Sequence, residues 1–103
     1  PLIATESPSN LFHVILDNEA YESTGAQPSI SAMVDLGEIA KSSGYAHVDR
    51  SENLKELEDA LSACDANLGP HLILVKCGIA PVPGIPRIPQ LPTEIRDRFK
   101  DQF

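Results

Sequence analysis

Two short apolar runs, residues 11–16 (LFHVIL) and His71–Lys76 (HLILVK), constrain the fold of this chain more than any other feature. Runs of this kind fit strands buried on both faces, as in parallel sheets covered by helices. A third short strand is expected at 45–48 (YAHV). Between the strands lie two helical segments. Asp35 suits an N-cap, with Glu38 closing a capping box and Val34 and Ile39 forming a hydrophobic staple around it. Leu36, Ile39 and Ala40 would face the core, and Gly44 suits the left-handed residue after the last turn. Ser51 is the expected cap of the second helix, where Leu54, Leu57, Leu61 and Cys64 recur at helical spacing. The order strand, helix, strand, helix, strand implies right-handed crossovers and an α/β fold with a three-stranded parallel sheet and flanking helices.

After Cys77 the pattern changes. Pro81, Pro83, Pro86, Pro89 and Pro92 exclude a helix and any central strand there. Val82, Ile85, Ile88 and Leu91 lie between the prolines, so a Pro-rich arm packed on a protein surface is favoured over a free PPII ligand. A short terminal helix should start near Thr93, with Ile95 and Phe99 on one face. The expected division is therefore 1–78 for the α/β part and 79–103 for the arm and terminal helix.

Composition bounds the partners. Eight Lys and Arg are scattered among fifteen Asp and Glu, a net charge of −7, which argues against nucleic acid and anionic membranes. No apolar run approaches the roughly 20 residues of a membrane span, and no signal peptide is visible. With 103 residues and few aromatics, a small aliphatic core is expected. Cys64 and Cys77 have no metal-ligand spacing and read as small apolar side chains, which places the chain in a reducing cytoplasm.

Taken on its own residues, the loop from Asp17 to Gly25 is only a polar loop at a sheet edge. Asp17 and Glu19 taken alone read as solvated carboxylates at a strand-end turn, and 19–31 as a loop with a helical turn. His13, His47 and His71 fall at strand positions and read as packed or surface residues. Glu52, Glu56, Glu58 and Asp59 read as a solvated helix face, with Lys55 and Asp59 as an i,i+4 pair.

The stretch 10–29 (NLFHVILDNEAYESTGAQPS) resembles the second half of the thiamine-diphosphate signature. Ala20-Tyr21-Glu22-Ser23-Thr24-Gly25 and Gln27-Pro28 are similar to phosphonopyruvate decarboxylases and to their close relatives, the sulfopyruvate decarboxylases. Val34-Asp35-Leu36, Ile39-Ala40, Gly44-Tyr45, Pro86-Arg87, Pro92 and Arg98-Phe99 extend the likeness over nearly the whole chain. The resemblance implies the C-terminal part of a doubly wound thiamine-diphosphate-binding domain. In such domains the His71 strand lies between the other two, leaving the first strand with an unpaired edge that invites self-association. It also implies thiamine diphosphate and Mg²⁺ as cofactors, a 2-oxo acid as substrate, and phosphonoacetaldehyde and CO₂ as products of phosphonopyruvate. Asn18 would give the metal its side-chain oxygen and Ala20 its carbonyl. Tyr21, Glu22, Ser23, Thr24 and Gly25 would lie along the cofactor, Ser23 and Thr24 donating hydrogen bonds.

No catalytic residue is assigned within this chain. The family's Gly-Asp-Gly, about 25 residues before the asparagine, is absent, and only seventeen residues precede Asn18. The glutamate-bearing pyrimidine-binding domain is missing as well. The expected partners are therefore that domain or another copy of the chain, in an oligomer, with this chain inactive alone. The alternatives are a non-catalytic remnant serving as an oligomerisation or binding module, and a piece of a sulfopyruvate decarboxylase-like enzyme. Glu19 and Ala26 stand where the family commonly has glycine.

Overall fold

The computed structural model describes residues 2–79, 83–86 and 88–102. Pro81, Val82 and Arg87 of the arm lie outside the described residues. In chain order the elements are α1 (Leu2–Glu6), β1 (Phe12–Asp17), β2 (Ala20–Tyr21), β3 (Gln27–Pro28), α2 (Leu36–Ser42), β4 (His47–Ser51), α3 (Leu54–Ala66), β5 (His71–Lys76) and α4 (Pro92–Lys100). Two 3₁₀ turns, Glu22–Thr24 and Ile30–Ala32, flank β3.

β1, β5 and β4 form a parallel sheet in that order, with the last strand of the chain in the middle. β5 is the most buried segment: His71, Leu72, Ile73 and Leu74 are all buried, and Ile73 is fully enclosed. Its side chains alternate between faces, as a pleated strand requires. Leu72 and Leu74 meet Ala40 of α2, with Ile15, Leu36, Tyr45 and Val48 packed around them. Ile73 meets Ala60 and Cys64 of α3 on the other face, beside Leu57 and Val75. Helices on both faces of a parallel sheet make this an α/β fold consistent with half of a doubly wound domain.

Several local expectations shift. β1 is covered on one face only: Phe12, Val14 and Leu16 are exposed on the other face of that strand, while Ile15 packs into the core. β4 runs two to three residues later than its apolar core suggests, since pairing with β5 carries Asp49, Arg50 and Ser51 into the ladder. Ser51 does not cap α3. It is buried at the end of β4, where its hydroxyl donates to the Asn53 carbonyl at 2.8 Å. Asn53 is the cap, accepting from the Glu56 N–H at 3.0 Å. The buried stripe of α3 is Leu57, Ala60 and Cys64, while Leu54 and Leu61 are exposed. Asp35 does cap α2, accepting from the Glu38 N–H at 3.0 Å. The Glu38 carboxylate, however, lies 4.0 Å from Arg50 instead of closing the box, and Ile39 is half exposed.

The expected i,i+4 pair on α3 is present, with Lys55 and Asp59 3.0 Å apart, and Gly44 has its left-handed φ of 97°. α4 starts one residue early, at Pro92, with the Leu91 N–H donating to the Glu94 carboxylate at 2.7 Å. Ile85, Ile88 and Leu91 of the arm and Phe99 of α4 are all exposed. Cys64 is buried and free, and burial raises the pKa of its thiol; Cys77 is exposed rather than packed. No described helix is long and apolar enough to cross a membrane.

These burials rank the core. Ile73→Ala should cost about 3 kcal/mol in urea denaturation, whereas Leu54→Ala, at 78% exposure, should stay within about 0.5 kcal/mol.

Candidate functional site

Parallel strands end together, and here β1 and β5 end in register on Asp17 and Lys76. Loops that follow such strand ends form the crevice where open α/β sheets bind ligands. Asp17 is only 7% exposed. One of its carboxylate oxygens accepts from the Ser31 hydroxyl at 2.5 Å and the Glu19 N–H at 3.0 Å. The other accepts from the Lys76 ammonium at 2.7 Å. Lys76 also reaches the Glu19 carboxylate at 2.5 Å. The Lys76 hydrogen bond, then that of Ser31, holds Asp17 below the usual carboxylate range, against the opposing effect of burial. The same contacts, Asp17 first, raise the pKa of Lys76. Asp17 is thus a buried, ion-paired strand end and not a solvated turn carboxylate. Neither Lys76 nor Ser31 is marked by any sequence pattern, because strand pairing brings Lys76 to Asp17 and the returning loop brings Ser31.

Asn18 follows at the tip. Its side-chain oxygen accepts from the Ala20 N–H at 3.1 Å, an Asx-type turn, while its amide lies 3.4 Å from the Glu22 carboxylate. Ala20 then enters a two-residue antiparallel ribbon with Pro28. The Ser29 N–H donates to the Glu19 carbonyl at 2.8 Å, which makes Ala20 and Pro28 a pair without mutual hydrogen bonds. Pro28 has no N–H to offer in any case. Both backbone groups of Ala20 therefore point away from β3, the N–H to Asn18 and the carbonyl to the same side. The structure thus turns the Asn18 side-chain oxygen and the Ala20 carbonyl to one side. Both are neutral hard donors, and Asn18 keeps a second lone pair. Two such oxygens fit part of the oxygen octahedron of Mg²⁺. The described residues contain no cluster of three or more His, Cys, Asp and Glu suited to a metal.

The five residues expected along a cofactor are contiguous and exposed on this same loop. Tyr21 closes β2, Glu22, Ser23 and Thr24 form a 3₁₀ turn, and Gly25 ends it with φ 108°. Thr24 is engaged within the loop: its hydroxyl lies 2.9 Å from the Gln27 side-chain oxygen, and its carbonyl accepts from the Gln27 amide at 2.8 Å. Ser23 makes no such contact among the described residues.

Glu19 and Ala26 have φ of 57° and 56°, the left-handed region where glycine is the unstrained residue. Ala26 sits there with its N–H bonded to the Tyr21 carbonyl at 3.0 Å. A cleft of about 270 Å³ opens beside the loop, between Asp17, Ser31, Lys76 and the start of α2. Arg50 crosses the other side of that helix start and pairs with Asp35 at 2.5 Å, which lowers the Asp35 pKa.

His13, His47 and His71 lie away from this site, on β1, β4 and β5. His47 and His71 stack with ring centroids 4.6 Å apart, and His13 bonds the Tyr45 hydroxyl at 2.9 Å. His71 is buried and His47 is exposed.

The parallel three-stranded sheet with helices on both faces places the protein in the α/β class. No family model matches the chain. It is 35% identical over 98 residues to phosphonopyruvate decarboxylase from Streptomyces viridochromogenes, covering 95% of this chain and 25% of that protein. The phosphonopyruvate decarboxylase of Streptomyces hygroscopicus is also 35% identical, over 99 residues and the same quarter share. Sulfopyruvate decarboxylase subunit beta of Methanothermobacter thermautotrophicus is 40% identical over 82 residues, covering 80% of this chain and 43% of that subunit. The chain belongs to the phosphonopyruvate and sulfopyruvate decarboxylase family and spans a quarter to under half of these relatives' lengths.

Two measurements check the loop. Asp17 and Asp35 have lowered folded pKa values, so their stability contributions are complete above the ordinary value of 3.8 and are lost as pH falls below it. Stability followed by urea denaturation should therefore fall below about pH 4, and Asp17→Asn should flatten that slope. Ala26→Gly should raise stability by about 1 kcal/mol, because it removes a side chain from the left-handed region.

Proposed function

We propose that this chain forms part of the cofactor site of a thiamine-diphosphate- and Mg²⁺-dependent 2-oxo-acid decarboxylase. The substrate in this reading is phosphonopyruvate, and the products are phosphonoacetaldehyde and CO₂. One observation carries the reading: the Asn18 side-chain oxygen and the Ala20 carbonyl face one side at the carboxyl edge of the sheet. Asn18 and Ala20 would hold the metal that carries the diphosphate. Tyr21, Glu22, Ser23, Thr24 and Gly25 would line the cofactor beyond it. Among the loop hydroxyls, that of Ser23 is the better donor, since the Thr24 hydroxyl is occupied by Gln27. When bound, thiamine diphosphate supplies the electron sink for the pair released with CO₂. This chain's own residues supply orientation and charge.

Relatedness to a sulfopyruvate decarboxylase subunit at 40% identity supports a second reading, with sulfopyruvate as the 2-oxo acid and the same cofactors. A relative named as a subunit also supports assembly with another chain. In this proposal a pyrimidine-binding domain and a Gly-Asp-Gly segment come from outside these residues, and the chain by itself is inactive.

Calorimetric titration with thiamine diphosphate and Mg²⁺, on the chain alone and with a pyrimidine-binding partner, tests the assignment. Binding and CO₂ release from phosphonopyruvate or sulfopyruvate are expected only in the mixture. Turnover by the chain alone would overturn the inactivity, and no binding in either arm would overturn the cofactor assignment. Asn18→Ala should weaken Mg²⁺ binding in the mixture by about 10-fold or more.

A further inference from the structure

We infer that Lys76 is the positioning residue of the metal-binding turn, holding Asn18 and Ala20 in place from a strand that is remote in sequence. The inference rests on the cofactor reading above and concerns how this chain's own residues shape that site. Asn18 is flanked by Asp17 and Glu19, and both neighbouring carboxylates converge on the one Lys76 ammonium, at 2.7 and 2.5 Å. The chain is therefore pinned on both sides of Asn18 by a single group. That group sits at the end of the central strand, in register with Asp17, so the rigid sheet sets the position of the turn.

The hydrogen bonds show what the clamp accomplishes. Both Asp17 oxygens are engaged, one by Lys76 and the other by Ser31 and the Glu19 N–H. Asp17 lines the cleft, but both of its oxygens are already taken up by groups of the protein. Glu19 adopts a left-handed φ of 57°, a conformation that needs compensation in a residue with a side chain. Its ion pair with Lys76 and the N–H bond to Asp17 supply that compensation. With Glu19 so turned, the Ala20 N–H falls 3.1 Å from the Asn18 oxygen.

Lys76 also governs charge. The ammonium ties up two carboxylates next to the two neutral oxygens. Asn18 and Ala20, rather than two loose carboxylates, would then hold a cation bound with a diphosphate. Groups behind the direct ligands that orient them commonly tune metal affinity as strongly as this.

The test compares the wild-type chain with Lys76→Met, Lys76→Arg and the double variant Asp17→Asn/Lys76→Met. The double variant removes both charges of the buried pair together and serves if Lys76→Met does not fold. The first readout needs no ligand: amide hydrogen exchange at Ala20, measured by NMR against the β5 amides as internal reference. Lys76→Met, or the double variant in its place, should lose about 10-fold or more of Ala20 protection while β5 stays protected, and Lys76→Arg should restore most of it. The second readout is Mn²⁺ binding in the presence of thiamine diphosphate and the pyrimidine-binding partner, followed by water-proton relaxation. Affinity should fall about 10-fold or more in Lys76→Met and recover in Lys76→Arg.

Unchanged Ala20 exchange in the methionine variants, or unchanged or tighter Mn²⁺ binding, would overturn the positioning role. If no wild-type mixture binds Mn²⁺, the cofactor reading fails by itself, and the exchange data still decide whether Lys76 holds the turn.

Discussion

The parallel pairing of β1 and β4 to β5 is the constraint from which the rest of the structure follows. β5 is the last strand in the chain and the middle strand of the sheet, so neither neighbour gains a partner until it is in place. Its four buried residues divide between two faces, and each face anchors a different helix: α2 over Leu72 and Leu74, α3 over Ile73. A strand that serves both clusters must be apolar on both sides, and this accounts for the unbroken run from Leu72 to Val75. Among the described residues β1 pairs only with β5, and Phe12, Val14 and Leu16 on its uncovered face are exposed while Ile15 packs into the core.

The same register fixes the electrostatics of the candidate site. Because β1 and β5 end together, Asp17 meets Lys76 without any long side-chain reach, and Ser31 returns from the loop to complete the shell of the carboxylate. A buried carboxylate paired in this way is held in its charged form. Removing one partner alone leaves an uncompensated buried charge, which is why the pair behaves as a unit. The turn that follows inherits its direction from the pair, and with it the orientation of the Asn18 and Ala20 oxygens. Arg50 plays a comparable part on the far side of α2, crossing tightly over Gly37, where any side chain would strike its guanidinium.

Much of the fold is legible in local pattern, and the departures share a cause. The three strands, the two inter-strand helices, the Asp35 cap and the terminal helix all follow from periodicity and capping chemistry. Ser51 and Asn53 are both competent caps, and the choice falls to Asn53 because β4 extends through Ser51 and buries it. In α3 a leucine count points to Leu54 and Leu61, yet the helix lies on the sheet through Leu57, Ala60 and Cys64, where small residues allow close approach. The histidines are legible as strand residues, but their stacking is not. Of the candidate site, the order and exposure of Tyr21, Glu22, Ser23, Thr24 and Gly25 are readable as a polar loop. Its kinship is readable only through the resemblance carried by the same residues.

The sequence by itself determined the α/β class and the order of the three sheet strands and the two helices between them, because these depend on side-chain type at short spacing, and it showed the loop's kinship through resemblance. It also marked Glu19 and Ala26 as unusual occupants of positions where glycine is common. Tertiary structure decided that both positions are left-handed, that β1 is left open on one face, and that Asp17 is buried rather than solvated. The physical reason is distance along the chain: Asp17 and Lys76 are separated by 59 residues. A charge pair over that separation exists only once the sheet has closed between them.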